Sequence, residues 1–261
     1  MDLGLRGKTA LVLGGGGGLG GAIARALARD GARVAVGGRN AARLEETVGQ
    51  LERAGSKALA VPWDLADLTA IDPAIAKIEE DLGPIEVLVN NTGGPPPTPA
   101  AGQDAALWTK SFQLMVLSVV AVTDRVLPRM RERKWGRIIT SASSGVVAPI
   151  ANLGLSNALR MSLVGWSKTL AREVARDGIT ANVVVPGRIG TARTRSLDEA
   201  RAAREGIPVD QVAAESAASI PMMRYGRPEE YADVVAFLAS ERASYVTGSI
   251  VRVDGGLIAS V

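Results

Sequence analysis

The chain contains no cysteine and no histidine, and aromatic residues fill only 3% of its 261 positions. Without Cys, disulfide frameworks, thiolate nucleophiles and zinc-thiolate sites are excluded, and without His so is any His-Asp catalytic pair. Acid-base chemistry is left to Ser, Tyr, Lys, Arg, Asp, Glu or a bound cofactor. The scarcity of aromatics argues against base-stacking platforms. A formal net charge of only +3, from 30 Lys and Arg against 27 Asp and Glu, likewise argues against a nucleic-acid partner. Met1 to Leu13 lacks a charged region followed by a long apolar stretch, so no secretory signal is expected. The apolar run near Leu114 to Val122, interrupted at Ser118, is shorter than a bilayer span. The expectation is a cytoplasmic protein with no membrane partner and no metal site.

What is present is an ordinary globular mix, 47% apolar and 22% charged, in a chain long enough for one large domain over residues 1–261. Strands are expected at Lys8 to Leu13, Ala32 to Val36, Ala58 to Val61, Ile85 to Asn90, Gly136 to Ser141, Ile179 to Val185 and Ser249 to Val253. Between them lie helical patterns such as Ala22 to Asp30, Ala41 to Ala54 and Leu155 to Asp177. Several strands are continuous apolar runs, as in a parallel sheet covered on both faces. The rhythm predicts an α/β fold, a doubly wound, mostly parallel seven-stranded sheet with helices on both faces. A stretch at about 191–223 breaks the alternation, and an excursion of that length reads as a substrate lid.

The first strand runs into Gly14-Gly15-Gly16-Gly17-Gly18-Leu19-Gly20 and then a helix. Glycines at such a turn let the backbone approach a pyrophosphate at the helix N-terminus. Two patterns are satisfied at once, G-x-G-x-x-G at Gly15, Gly17 and Gly20 and G-x-x-x-G-x-G at Gly14, Gly18 and Gly20; spacing does not separate them. The second strand ends Val36-Gly37-Gly38-Arg39-Asn40 without a carboxylate to bond a ribose diol. Arg39 there favours NADP(H) over NAD(H), with a merely solvated arginine as the alternative.

Further motifs follow in order: Asp64-Leu65, Asn90-Asn91-Thr92-Gly93, Asn182, Pro186-Gly187-Arg188-Ile189-Gly190-Thr191, Ile220-Pro221 with Gly226-Arg227-Pro228-Glu229-Glu230, and Val253-Asp254-Gly255-Gly256. With these the chain resembles the short-chain dehydrogenase/reductases, and within them the 3-oxoacyl-acyl-carrier-protein reductase-like branch, along essentially its whole length. The resemblance implies a Rossmann-type, dinucleotide-binding fold and selects Gly14, Gly18 and Gly20, with Leu19 between them, as the cofactor loop. It implies that Asp64 and Leu65 contact the adenine, that Asn91, Thr92 and Gly93 flank the cofactor, and that Pro186, Gly187 and Ile189 within Pro186 to Thr191 hold the nicotinamide carboxamide. One departure is Leu13, where the family usually has Thr.

The catalytic positions depart further. In the family a Tyr is the general acid-base, a Lys four residues later holds the ribose, a Ser thirteen residues before the Tyr polarises the carbonyl, and an Asn supports a water relay. Counting back from Gly165-Trp166-Ser167-Lys168-Thr169-Leu170-Ala171 places these roles at Ser156, Arg160 and Ser143, and counting seven on from Trp108 places the Asn at Met115. Ser143 alone matches. Ser156 and Arg160 stand at i and i+4, so both side chains can enter one cleft. Arg160 retains a fixed positive charge suited to the cofactor but does not titrate at workable pH, and a serine hydroxyl is a far weaker acid than a phenol. The only tyrosines, Tyr225, Tyr231 and Tyr245, lie far downstream. Two readings follow: an NADP(H)-dependent oxidoreductase with Ser143, Ser156 and Arg160 at its reacting centre, or a nucleotide-binding protein with a sensor or assembly role in which the three merely line the dinucleotide.

Pro95-Pro96-Pro97 stiffens a loop that the resemblance puts beside the substrate. Arg193, Arg195, Arg201 and Arg204, interleaved with acids, read either as lid cations meeting an acidic or phosphopantetheine-linked acyl-thioester substrate or, preferably, as a solvated helix face. Arg129, Arg131, Arg133, Lys134 and Arg137 read as a docking patch for an acidic carrier or as cations compensating a helix C-terminus. The resemblance implies a homotetramer or homodimer built on the helices after Trp108 and Leu155.

Overall fold

In the computed structural model, which describes residues 2–260, the apolar runs become buried parallel strands. They are β1 (Thr9–Leu13), β2 (Arg33–Gly38), β3 (Ala58–Pro62), β4 (Ile85–Asn90), β5 (Gly136–Ser141), β6 (Ile179–Pro186) and β7 (Ile250–Val253). They form one sheet in the order β3-β2-β1-β4-β5-β6-β7, and every neighbouring pair is parallel rather than mostly so. Each of the seven expected strands is present, with ends moved by at most two residues. The order reverses between β1 and β4, which opens a crevice at their C-terminal ends.

Alternation along β1 shows why the sheet needs two covers. Ala10 and Val12 join one core with Ile23 and Leu27 of α1 (Gly18–Arg29) and Tyr231 and Val235 of α9 (Pro228–Ala239). Leu11 and Leu13 point the other way, into a core with Ile75 and Ile78 of α3 (Ile71–Leu82) and Val122 and Val126 of α5 (Ser118–Arg133). Leu13 is thus a core residue, which accounts for an apolar side chain where the resemblance expects Thr.

The remaining helices are α2 (Ala41–Arg53), α4 (Ala105–Phe112), α6 (Gly154–Val174), α7 (Ala192–Glu205) and α8 (Val209–Ala218). α1 begins at Gly18, four residues ahead of the expected Ala22, because the glycine loop itself winds the first turn. A π-type turn, Gln113–Leu117, joins α4 to α5 without a break. The apolar run at Leu114 to Val122 therefore belongs to a 29-residue helical stretch, Ala105–Arg133, long and apolar enough by length and composition to cross a membrane. The expectation of a short run is corrected on that point, although Val119, Val122, Val126 and Met130 of the same stretch are buried in the protein core.

The excursion at 191–223 is helical, built from α7 and α8, and is pinned at the buried Asp198. Its carboxylate accepts hydrogen bonds from Arg188 at 2.6 Å and from the Tyr225 hydroxyl at 2.9 Å.

Candidate functional site

At the crevice, the loop after β1 is locked to the loop after β4. Gly14 adopts φ +65°, and a Cβ on it would lie 2.6 Å from the Asn91 carbonyl oxygen. A Cβ on Gly20 would lie 2.2 Å from the Gly14 carbonyl oxygen, which is backbone that has nowhere to go. The Asn91 amide donates to the Leu13 carbonyl at 3.1 Å, anchoring the turn that a Thr hydroxyl would otherwise help to hold. The N-cap of α1, Gly17, brings no side-chain acceptor. The first-turn N–H groups of α1 are left for an external anion. The residues present therefore fit a dinucleotide pyrophosphate.

The other expected cofactor positions sit on neighbouring loops at the same end of the sheet. Arg39 is exposed just beyond β2, and the Cβ of Arg43 stands 3.2 Å from the Cβ position of Gly16, which puts a second guanidinium stem against the glycine loop. Asp64 is exposed and caps its own turn by accepting from the Ala66 N–H at 3.0 Å, and Leu65 beside it is buried. Thr92 is buried and Gly93 exposed beyond β4. Beyond β6, the Gly187 N–H donates to the Val253 carbonyl at 2.9 Å, and a Cβ there would meet the Asp254 Cα at 2.5 Å. Ile189 is buried, and Thr191 caps α7 by accepting from the Thr194 N–H at 3.3 Å. A Cβ on Gly18 would lie 4.0 Å from the Thr191 side chain, which closes the ring of loops. Asn182 lies apart from this ring and joins β6 to β7, donating to the Val246 carbonyl and accepting from the Ser249 N–H.

Ser143, Ser156 and Arg160 come to the same end of the sheet. Ser143 opens the turn after β5, half-buried, and its Oγ accepts from the Gly145 N–H at 3.2 Å, leaving its own proton to donate. Ser156 and Arg160 are buried on the first turns of α6. Both border one cleft at Gly94, where a Cβ would lie 4.0 Å from Ser156 Oγ and 3.7 Å from an Arg160 guanidinium nitrogen. Arg160 donates to the Ser141 carbonyl at 3.2 Å and the Thr92 carbonyl at 3.0 Å, tying the end of β5 to the loop after β4. Burial pulls its pKa down to about 10, with Arg193 adding to the fall and Tyr231 opposing it. It remains a cation at neutral pH.

Met115 is fully buried in the π-type turn, packed with Val116, Val119, Leu159 and Leu163. The place where the resemblance expects a water-relay amide is apolar, so no side-chain relay passes through it.

Two residues named in the sequence take places that their spacing did not fix. Tyr231, distant in sequence, is fully buried beneath the site, with its hydroxyl 2.9 Å from Ser141 Oγ and 3.2 Å from the Val184 carbonyl. Burial raises its pKa. It supports the floor of the site through Ser141 but is sealed from any substrate, so it does not replace the missing phenol. Arg193, although exposed, reaches the edge of the crevice with its Nη2, which donates to the Pro95 carbonyl. The signal was its spacing: Arg195 and Arg201 each have Glu four residues on, whereas Arg193 has Ser196 and Leu197 at three and four. The basic cluster around 129–137 stays exposed except for Arg137, and most of it is paired within the chain. Arg129 pairs with Glu132, and Arg131 and Lys134 with Asp177. Arg137 is buried and donates to the Ser240 carbonyl.

Residues 15–258 match the family described as enoyl-(acyl carrier protein) reductase. The chain is 41% identical over 251 residues to nodulation protein G of Azospirillum brasilense, covering 96% of this chain and 98% of that one. It is 36% identical over 253 residues to the 3-oxoacyl-[acyl-carrier-protein] reductase FabG of Escherichia coli strain K12, covering 96% and 97%. Among solved structures, L-sorbose reductase from Gluconobacter frateurii, complexed with NADPH and L-sorbose, superimposes over the whole of both chains with a TM-score of 0.94 at 32% identity.

Proposed function

The chain belongs to the short-chain dehydrogenase/reductase family, and on that premise we propose that it is an NADP(H)-dependent oxidoreductase acting on a carbonyl or secondary alcohol. The observation that carries this reading is the interlock of Gly14, Gly20 and Asn91 at the sheet's switch point, with Ser143, Ser156 and Arg160 gathered beside it. When bound, a nicotinamide dinucleotide supplies or accepts the hydride. Gly14, Gly18, Leu19 and Gly20 hold its pyrophosphate against α1. Asp64 and Leu65 border the adenine, Asn91, Thr92 and Gly93 flank the middle of the cofactor, and Pro186, Gly187 and Ile189 meet the nicotinamide end. Preference for NADP(H) rests on Arg39, with Arg43 one turn further on and no carboxylate at the end of β2.

Ser143 donates a hydrogen bond to the substrate oxygen while its Oγ is steadied by the Gly145 N–H. Arg160 supplies a fixed positive potential beside that oxygen and the cofactor ribose. Ser156 offers a hydrogen bond, but its hydroxyl is too weak an acid to release the proton that completes an alcohol, and this proton comes from water. The lack of a matched general acid costs about 10² to 10⁴ in rate. Helices α7 and α8 form the lid of a single domain. Exposed Phe112, Leu117 and Met161 along α4 to α6 support assembly as a homodimer or homotetramer.

The test is a fluorescence titration with NADPH and NADH, then turnover on a carbonyl panel that includes 3-oxoacyl thioesters. NADPH is expected to bind more tightly. The Ser156→Tyr/Arg160→Lys double variant is expected to gain at least about a hundredfold in turnover. No response of the wild type to millimolar NADPH or NADH overturns the assignment.

A further inference from the structure

Of the four arginines on α7, three are neutralised on the helix surface. Arg195 pairs with Glu199 at 3.1 Å, Arg201 with Glu205 at 2.9 Å and Glu215 at 2.7 Å, and Arg204 with Glu205 at 3.0 Å. Arg193 has no carboxylate partner among the described residues. Its Nη2 instead donates to the Pro95 carbonyl at 3.1 Å, while the residue as a whole stays exposed. A Cβ built on Gly94 would stand 3.7 Å from Nη2 of Arg193 and 3.7 Å from Nη2 of Arg160. The two guanidinium groups therefore face one opening, no further apart than twice that distance, with Ser156 Oγ on its edge and no side chain from Gly94 to fill it.

Arg160 also lacks a carboxylate partner among the described residues, and the charge of Arg193 adds to the burial that already disfavours its own. Two facing cations, one of them buried, are an unfavourable pair until an anion enters between them. Arg160 is locked by its two backbone carbonyls, whereas the guanidinium of Arg193 donates to the Pro95 carbonyl as its one hydrogen bond among the described residues.

We propose that this opening receives a carboxylate carried by the substrate, so that the compound turned over at Ser143 is an oxo acid in preference to its neutral ester or ketone. Each carboxylate oxygen meets one guanidinium through an N–H that its backbone carbonyls leave free, which arginine with its five donors allows and a locked lysine does not. This explains why Arg160 tolerates a second cation nearby and why Arg193 alone of the α7 arginines has no carboxylate partner among the described residues. The inference deepens the oxidoreductase reading and rests on it for the carbonyl that the carboxylate accompanies.

The experiment titrates acetoacetate and 4-oxopentanoate, each against its methyl ester, into the wild type, Arg193→Gln and, as a surface control, Arg195→Gln. It is run with and without saturating NADPH and read by calorimetry and thermal shift. The acids are expected to bind and the esters not. Arg193→Gln is expected to weaken the acids about ten- to a hundredfold, the loss typical of a charge-assisted bond, with the NADPH dissociation constant unchanged and Arg195→Gln like the wild type. Equal responses to acids and esters overturn the proposal. So does an Arg193→Gln variant that loses NADPH affinity while keeping the preference for acids, since Arg193 then serves a cofactor phosphate. Failure of the wild type to bind NADPH at all strikes the oxidoreductase reading instead, and the titrations without NADPH still decide the anion site.

Discussion

Replacing Gly20 with Ala tests the glycine loop where its geometry is least forgiving. The new Cβ would lie 2.2 Å from the Gly14 carbonyl oxygen and 2.7 Å from the carbonyl carbon, both backbone atoms. Ordinary van der Waals contact begins at 3.4 Å, so the end of β1 and the first turn of α1 must part by about 1.2 Å. Forcing that separation costs about 1–3 kcal/mol of stability. The same displacement carries the N–H donors at the start of α1 out of reach of a phosphate, because a hydrogen bond near 2.9 Å lengthened by an ångström is no longer one. Loss of one bond to a charged acceptor weakens binding about ten- to a hundredfold. Urea denaturation and NADPH fluorescence titration measure the two effects separately. If Gly20→Ala bound NADPH as the wild type does, the crevice between β1 and β4 would not be where the pyrophosphate sits.

Gly49→Ala supplies the opposite sign. Gly49 lies inside α2, and the nearest atom to its added Cβ is the flexible end of Arg53 at 3.9 Å; a gain of about 0.5–1 kcal/mol is expected in urea melts. Tyr231→Phe removes a buried hydroxyl and strands Ser141 Oγ. The expected loss is about 1–2 kcal/mol, or roughly 2–8 °C in melting temperature, and an unchanged melt would show that the hydroxyl holds nothing. Glu230, gripped through both oxygens by Arg224 and by the Arg227 N–H, has its pKa held down to about 2 from the usual 4.5. A carboxylate with a lowered folded-state pKa adds stability above pH 4.5 that is lost as the pH falls towards 2. Glu230→Gln should therefore lower the urea midpoint at pH 7 while changing it little at pH 2, and an equal drop at both values would refute the assignment.

The sheet was legible in the sequence because parallel strands buried on both faces favour continuous apolar runs, as Ala10 to Leu13 and Val183 to Val185 show. The glycine loop was legible because a close backbone approach permits no other residue, although spacing alone left two patterns open. The family register then placed Ser143, Ser156 and Arg160, and the fold brings them to one end of the sheet as their spacing implied. Their roles are harder to read than their places, since Ser156 and Arg160 depart from the Tyr and Lys of the resemblance.

Local composition misled in two places. The four α7 cations looked alike as one interleaved face, although a Glu four residues on follows Arg195 and Arg201 and not Arg193. The run at Leu114 to Val122 looked short because Ser118 interrupts it, yet a serine bonded to the Leu114 carbonyl at 2.6 Å continues a helix without breaking it.

By itself the sequence determined the class of fold, the anion-binding turn and the absence of imidazole, thiol and, at position 156, phenol, because these follow from residue identity and short-range spacing. Only the tertiary structure decided what takes up the remaining space. It sealed Tyr231 beneath Ser141, buried Met115 against Leu159 and Leu163, and set Arg193 across Gly94 from Arg160. Those juxtapositions join residues tens of positions apart through the packing of α6, α7 and α9 on one sheet, and no local pattern in the chain encodes such a distance.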